Sequence, residues 1–212
     1  GFLLTRHDSK LQDFYDDGQL HSVYHGEVEA LLGDLTGARR VEVFDDTRRS
    51  SSVATQRDLG IREPANIVHN DYTAASGVKR LRDFFADNLE EARRLEQHRF
   101  AIINVWRSIA GPVIDQPLVL GDATTISDSD LVAVERRGED RTGELQVALY
   151  QPYHRWYYFP DMQYGEVLLF KTFDSAQDGR SRFTPHSSFS DPTAPADAPA
   201  RASLETRCLV FF

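Results

Sequence analysis

The chain has 212 residues, 41% of them hydrophobic, and 24 Lys and Arg against 33 Asp and Glu give it a net charge of −9; that suits one globular domain with a real core. The acidic balance repels phosphate backbones and anionic lipid, and no apolar run approaches the roughly 18 residues of a membrane span, so neither nucleic acid nor membrane is an expected partner. One cysteine excludes an internal disulfide and a thiolate zinc cluster, and it fits a reducing, cytoplasmic compartment. The chain starts at Gly1 and its one methionine is Met162, so the natural start is expected to lie upstream.

In chain order, Val28, Leu31, Leu32 and Leu35 recur at helical spacing between Tyr24 and Gly37, with Gly37 as a C-cap. Val41–Phe44 alternates as a strand, and the polar stretch Asp45–Asp58 is expected to be a loop. From Gly77 to Gln97, Val78, Leu81, Phe84, Phe85, Leu89, Ala92 and Leu95 share one face, which predicts a single long helix. The apolar run Phe100–Trp106 has strand length. Seven more strands are predicted: Leu118–Leu120, Leu131–Arg136, Leu145–Tyr150, Arg155–Phe159, Glu166–Thr172, Arg182–Phe189 and Ala202–Phe212. Turn residues, Gly138 and Gly143 among them, separate them. A Pro/Ala segment at 190–200 cannot join a sheet interior. The pattern is mainly β with flanking helices, a barrel or sandwich with a helical layer on one outer face. Cys208, beside Leu209–Phe212, reads as a buried small hydrophobe.

His69 and Asp71 are two apart, so on an extended strand they project to one face. That is two thirds of a 2-His-1-carboxylate facial triad; as an isolated pair, Asp71 equally reads as a turn cap. A third ligand must come from a distant strand. His186 is favoured, because it follows a continuous apolar strand, over His154, which sits among aromatics and reads as a partly buried, hydrogen-bonded histidine. Near the C-terminus, Arg201 and Ser203 share a strand face and together suit a carboxylate, with Arg207 as alternative or helper.

These stretches carry a resemblance. Val68–Thr73, Asn104–Arg107, His154–Pro160, Glu166–Lys171, Arg182–His186 and Arg201–Arg207 together resemble the iron- and 2-oxoglutarate-dependent hydroxylase/desaturases of natural-product pathways. That family includes the cephamycin 7α-hydroxylase, aspergillic-acid hydroxylase and gibberellin desaturase-like types. The resemblance implies a double-stranded β-helix (jelly-roll, cupin-like) barrel as one domain over residues 1–212. It implies Fe(II) on His69, Asp71 and His186, and 2-oxoglutarate on Arg201 and Ser203. It also implies O2 and a small natural-product or amino-acid-derived substrate that is hydroxylated, desaturated or cyclised. Tyr72, Trp106, Tyr158 and Phe159 are candidates to shape the substrate pocket, and Arg80, Arg107 and Arg155 to pair with an anionic substrate group. Two other readings stay open: a cupin-like metal enzyme without 2-oxoglutarate, which gives Arg201 and Arg207 no role, and a non-catalytic β-barrel binding protein.

Overall fold

The computed structural model describes residues 1–137 and 142–212. Its strands are β1 (Phe2–Arg6), β2 (Arg40–Ser50), β3 (His69–Asn70), β4 (Phe100–Ser108), β5 (Leu118–Gly121) and β6 (Leu131–Arg137). They continue as β7 (Thr142–Ala148), β8 (Trp156–Tyr158), β9 (Glu166–Asp174), β10 (His186–Ser188) and β11 (Ala202–Phe211). Two antiparallel sheets result, ordered β1-β9-β4-β11-β2 and β6-β7-β3-β10-β5-β8. The helices are α1 (Asp17–Gln19), running through a π-helical turn at Leu20–Tyr24 into α2 (His25–Thr36), then α3 (Val53–Leu59), α4 (Ala74–Phe84) and α5 (Leu89–Glu96). Among the described residues, no helix is long and apolar enough to cross a membrane. This is the jelly-roll arrangement.

The central strand β4 is buried on both faces, as a continuous apolar run requires. Its alternate residues separate two cores. Ala101, Ile103 and Val105 pack outward with Tyr24, Val28 and Leu32 of the helical layer. Ile102 and Phe100 pack with Leu81, Ala92 and Leu95 of α4 and α5. Trp106 faces Leu118 and Leu120 of the second sheet. Gly77 lets α4 seat this closely, because a Cβ there would come within 2.4 Å of the Phe173 ring.

Several sequence expectations need correction. The long helix over 77–97 is two helices. Asn88 caps the second one, its side chain accepting from the Glu91 amide, and Asn competes with helix interiors for that reason. The loop expected over Asp45–Asp58 is the second half of β2 and then α3. Its polar residues are satisfied across the strand pair with β11, where Asp45 stands opposite Arg207 and Thr47 opposite Glu205. Only His186–Ser188 of the strand expected at Arg182–Phe189 forms ladder pairs, and β1 was not foreseen. Gly37 does end its helix, in the left-handed region at φ 70°. The turn at Gly138 lies outside the described residues.

Candidate metal centre

β3 and β10 are antiparallel neighbours, and His69 stands directly opposite His186. Opposed residues share a sheet face, so the two rings lie side by side with centroids 4.5 Å apart. Asp71 follows two residues after His69 on the same side. One nitrogen of each imidazole and one Asp71 oxygen all lie within 4.8 Å of one another. Asp71 Oδ1 is 3.6 Å from His69 Nε2 and 4.0 Å from His186 Nε2.

The backbone sets both tautomers. His69 Nδ1 donates to the Ile67 carbonyl at 2.7 Å, and His186 Nδ1 to the Thr184 carbonyl at 3.0 Å. A carbonyl only accepts, so each Nδ1 carries the hydrogen and each Nε2 keeps its lone pair toward Asp71. Burial, and then the neighbouring His69, push His186 down to about 3, which keeps it neutral. Burial pushes the Asp71 carboxyl up. Arg207, the two imidazoles and Asn104 outweigh it and hold the group well below the usual carboxylate range.

The two Asp71 oxygens do different things. Oδ1 faces the histidines, while Oδ2 accepts from Arg207 Nε at 3.0 Å and from Asn104 Nδ2 at 2.8 Å. Arg207 also donates to Asp45 at 2.5 Å, to Thr47 at 2.9 Å and to Glu205. It was expected to help hold a ligand carboxylate, but its donors are spent on the protein's own carboxylates. Beneath the triad, Asn70 ties the turn together. Its buried amide donates to the Tyr72 and Thr172 carbonyls and to Gln146.

Arg201 sits at the other end of the same strand face. Its Nε and one terminal nitrogen donate to Ser203 Oγ at 3.3 and 3.1 Å, and the other terminal nitrogen to the Gln116 carbonyl at 2.6 Å. The guanidinium lies 4.9 Å from the Trp106 ring centroid. Burial, and then Arg49, push it down to about 9, so it remains a cation at neutral pH. Among the described residues no carboxylate comes within 4.0 Å of it. A small cavity joins this guanidinium to His69 and His186.

The donor set fits the implied cofactors. Two neutral imidazole nitrogens and one carboxylate oxygen converge from one side, as a facial triad for Fe(II) requires. A buried guanidinium without a carboxylate suits the far end of a 2-oxoacid.

The remaining candidates divide. Trp106 lines the cavity. Tyr72 follows Asp71, and burial, with Asp71 adding to it, pushes its phenol up to about 12 against the pull of Arg207 and Arg80. Arg80 lies over the Phe44 ring at 5.1 Å, and its Nε is buried without a partner among the described residues. Arg107 and Tyr158 need correction. Arg107 projects from the opposite face of β4 to Trp106, into a cage of Phe14, Tyr24 and Tyr164, and donates to the Tyr164 carbonyl. Tyr158 pairs with Val119 while Leu120 pairs with His186, so it points to the outer side of its sheet, 40% exposed against Phe189. Arg155 pairs with Asp122 at the surface, and Phe159 packs on the Trp106 core. His154 is a core histidine bonded to Asp130 at 3.2 Å. Sequence reasoning missed Asn104, Asn70, Arg49 and Glu205. Strand parity with Trp106 and Ser203 could have flagged Asn104 and Glu205; Asn70 and Arg49 carry no such signal.

Comparison with known proteins supplies the context. Residues 1–211 match a family described as "Oxidoreductase/YMDC permease-like domain". The chain is 35% identical over 233 residues to the hydroxylase/desaturase CTB9 of Cercospora beticola, covering 100% of this chain and 70% of that protein. It is 35% identical over 200 residues to the Fe(II)/2-oxoglutarate-dependent dioxygenase nvfI of Aspergillus novofumigatus, covering 92% and 69%. The solved structure of the iron and alpha-ketoglutarate-dependent endoperoxidase NvfI superposes with a TM-score of 0.89 at 30% identity, over 100% of this chain and 78% of that one.

Proposed function

This chain belongs to the Fe(II)/2-oxoglutarate-dependent dioxygenases of the fungal hydroxylase/desaturase type, and we propose that His69, Asp71 and His186 are its iron ligands and Arg201 with Ser203 its 2-oxoglutarate anchor. The enzyme is an oxidoreductase that takes Fe(II), 2-oxoglutarate, O2 and a small-molecule substrate. When bound at these residues, iron and 2-oxoglutarate would supply the oxidising chemistry with O2, 2-oxoglutarate being oxidatively decarboxylated to succinate and CO2.

The chain's own residues orient and shield. The Ile67 and Thr184 carbonyls aim the imidazoles, and Arg207 with Asn104 holds Asp71 Oδ2 so that Oδ1 is presented to the metal. Trp106 forms a dry wall under the Arg201 guanidinium. Tyr72 and Arg80 are the substrate-side contacts of this proposal, with the free Arg80 Nε suited to an oxygen of the substrate. Residues 1–212 act as one catalytic domain, and the buried, unpaired Cys208 suits a reducing cytoplasm.

The observation that carries the ligand assignment is the cross-strand pairing of His69 with His186, both with Nδ1 tied to backbone. The test is Fe(II)-dependent succinate release, together with metal titration under anaerobic conditions. His186→Ala loses iron and His154→Ala keeps it. The reverse result overturns the assignment.

A further inference from the structure

We propose that Arg49 is a second guanidinium for the distal carboxylate of 2-oxoglutarate, acting with Arg201; this rests on the cosubstrate site proposed above. Arg49 lies on β2 directly opposite Ser203 on β11. Opposed residues share a face, so its side chain joins the row that carries Arg201 and Ser203. Its neighbour Arg48 points the other way, to the Phe14 carbonyl and Asp17. Arg49 lines the same cavity as His69, His186 and Arg201.

The charges in that cavity are unevenly matched. Three arginines line it. Arg207 is neutralised by Asp71, Asp45 and Glu205. Arg49 and Arg201 are not: among the described residues neither has a carboxylate within 4.0 Å. Arg49 is held by the Glu63 carbonyl at 2.8 Å, which positions the side chain without cancelling its charge. Burial lowers the affinity of each guanidinium for its proton, and Arg49 lowers that of Arg201 further, while Glu205 acts against both shifts. Glu205, which lines the same cavity, is already paired with Arg207, so two guanidinium charges facing one partly buried cavity are only partly offset until an anion arrives.

The donor count points the same way. Three Arg201 hydrogen bonds already go to Ser203 and Gln116. A carboxylate entering beside it gains a second, less committed fork from Arg49. The ligand this suits is a dianionic 2-oxoacid, with one end at the histidines and the other between two guanidinia.

The test uses the metal-loaded protein under anaerobic conditions, titrated by calorimetry with 2-oxoglutarate and with 2-oxobutanoate, which has the same 2-oxoacid head and no distal carboxylate. Arg49→Met weakens 2-oxoglutarate roughly tenfold to a hundredfold. It leaves 2-oxobutanoate and metal affinity within about twofold, and Arg49→Lys recovers part of the loss because it restores the charge. Equal loss for both acids, or no loss for either, overturns the proposal. If Arg201→Met abolishes 2-oxoglutarate binding while Arg49→Met spares it, the Arg49 proposal alone fails. If the unaltered protein binds no 2-oxoglutarate, the cosubstrate reading fails with it.

Discussion

Arg201 and Arg207 stand on one face of one strand, and their surroundings give them opposite roles. Around Arg207, β2 brings Asp45 and the end of β3 brings Asp71, so the guanidinium is consumed in structure. Around Arg201, the same β2 brings Arg49, and among the described residues the acceptors its side chain meets are the Gln116 carbonyl and Ser203 Oγ. One end of the row is an ion-pair network that holds Asp71, the proposed metal ligand, still. The other is the proposed anion anchor, a cation that meets no carboxylate within 4.0 Å among the described residues. Residue type does not separate the two; the charge that the neighbouring strands deliver does.

Breaking the metal end outright gives the largest effect. Asp71→Ala removes a ligand and leaves Arg207 without its central partner, so metal titration should show no stoichiometric Fe(II) binding and succinate release should fall to background. At the opposite end, Arg201→Met should raise the KM for 2-oxoglutarate roughly a hundredfold, from the loss of charge-assisted bonds, while Fe(II) affinity stays within about twofold. If both constants move together, the two ends are not separate sites.

Arg207→Met sharpens the contrast. It should weaken Fe(II) roughly tenfold to a hundredfold through the loss of Asp71 orientation, with the KM for 2-oxoglutarate little changed. It also strands buried carboxylates, and should cost about 3–5 kcal/mol in denaturant unfolding. A smaller effect follows from pH. The unfolded chain protonates His186 near 6.5, whereas the folded chain does so only near 3. Between those values the unfolded state binds more protons, so the metal-free protein loses stability as pH falls from about 6.5 toward about 3. Thermal melts across that range should show the slope, and His186→Gln should flatten it. The smallest effect is expected from Tyr158→Phe, which touches neither end and should leave the kcat and KM for succinate formation within about twofold.

The legible part of the site was the part written in local spacing. His69 and Asp71 could be placed together because residues two apart share a strand face wherever the strand lies. Arg201 and Ser203 were legible for the same reason. The choice of His186 over His154 leaned on strand context, and it is the β3–β10 pairing that puts His186 beside His69 while His154 turns to Asp130. Arg107 and Tyr158 were misplaced because parity gives two faces without saying which looks inward. A strand buried on both sides, such as β4, hides that choice completely. Arg49 was read as part of a loop, because a polar strand whose partners are distant polar residues has no apolar alternation to betray it.

By itself the sequence determined a mainly β fold with an outer helical layer, a His-x-Asp pair and an Arg-x-Ser pair. Each of these follows from hydrophobic periodicity or from the two-residue repeat of a strand. Only the tertiary structure decided which oxygen of Asp71 faces the histidines, and which arginine is matched by carboxylates and which, among the described residues, is not. Those outcomes depend on the charges that strands distant in sequence bring within a few ångströms, in a buried site where an unpaired charge is costly.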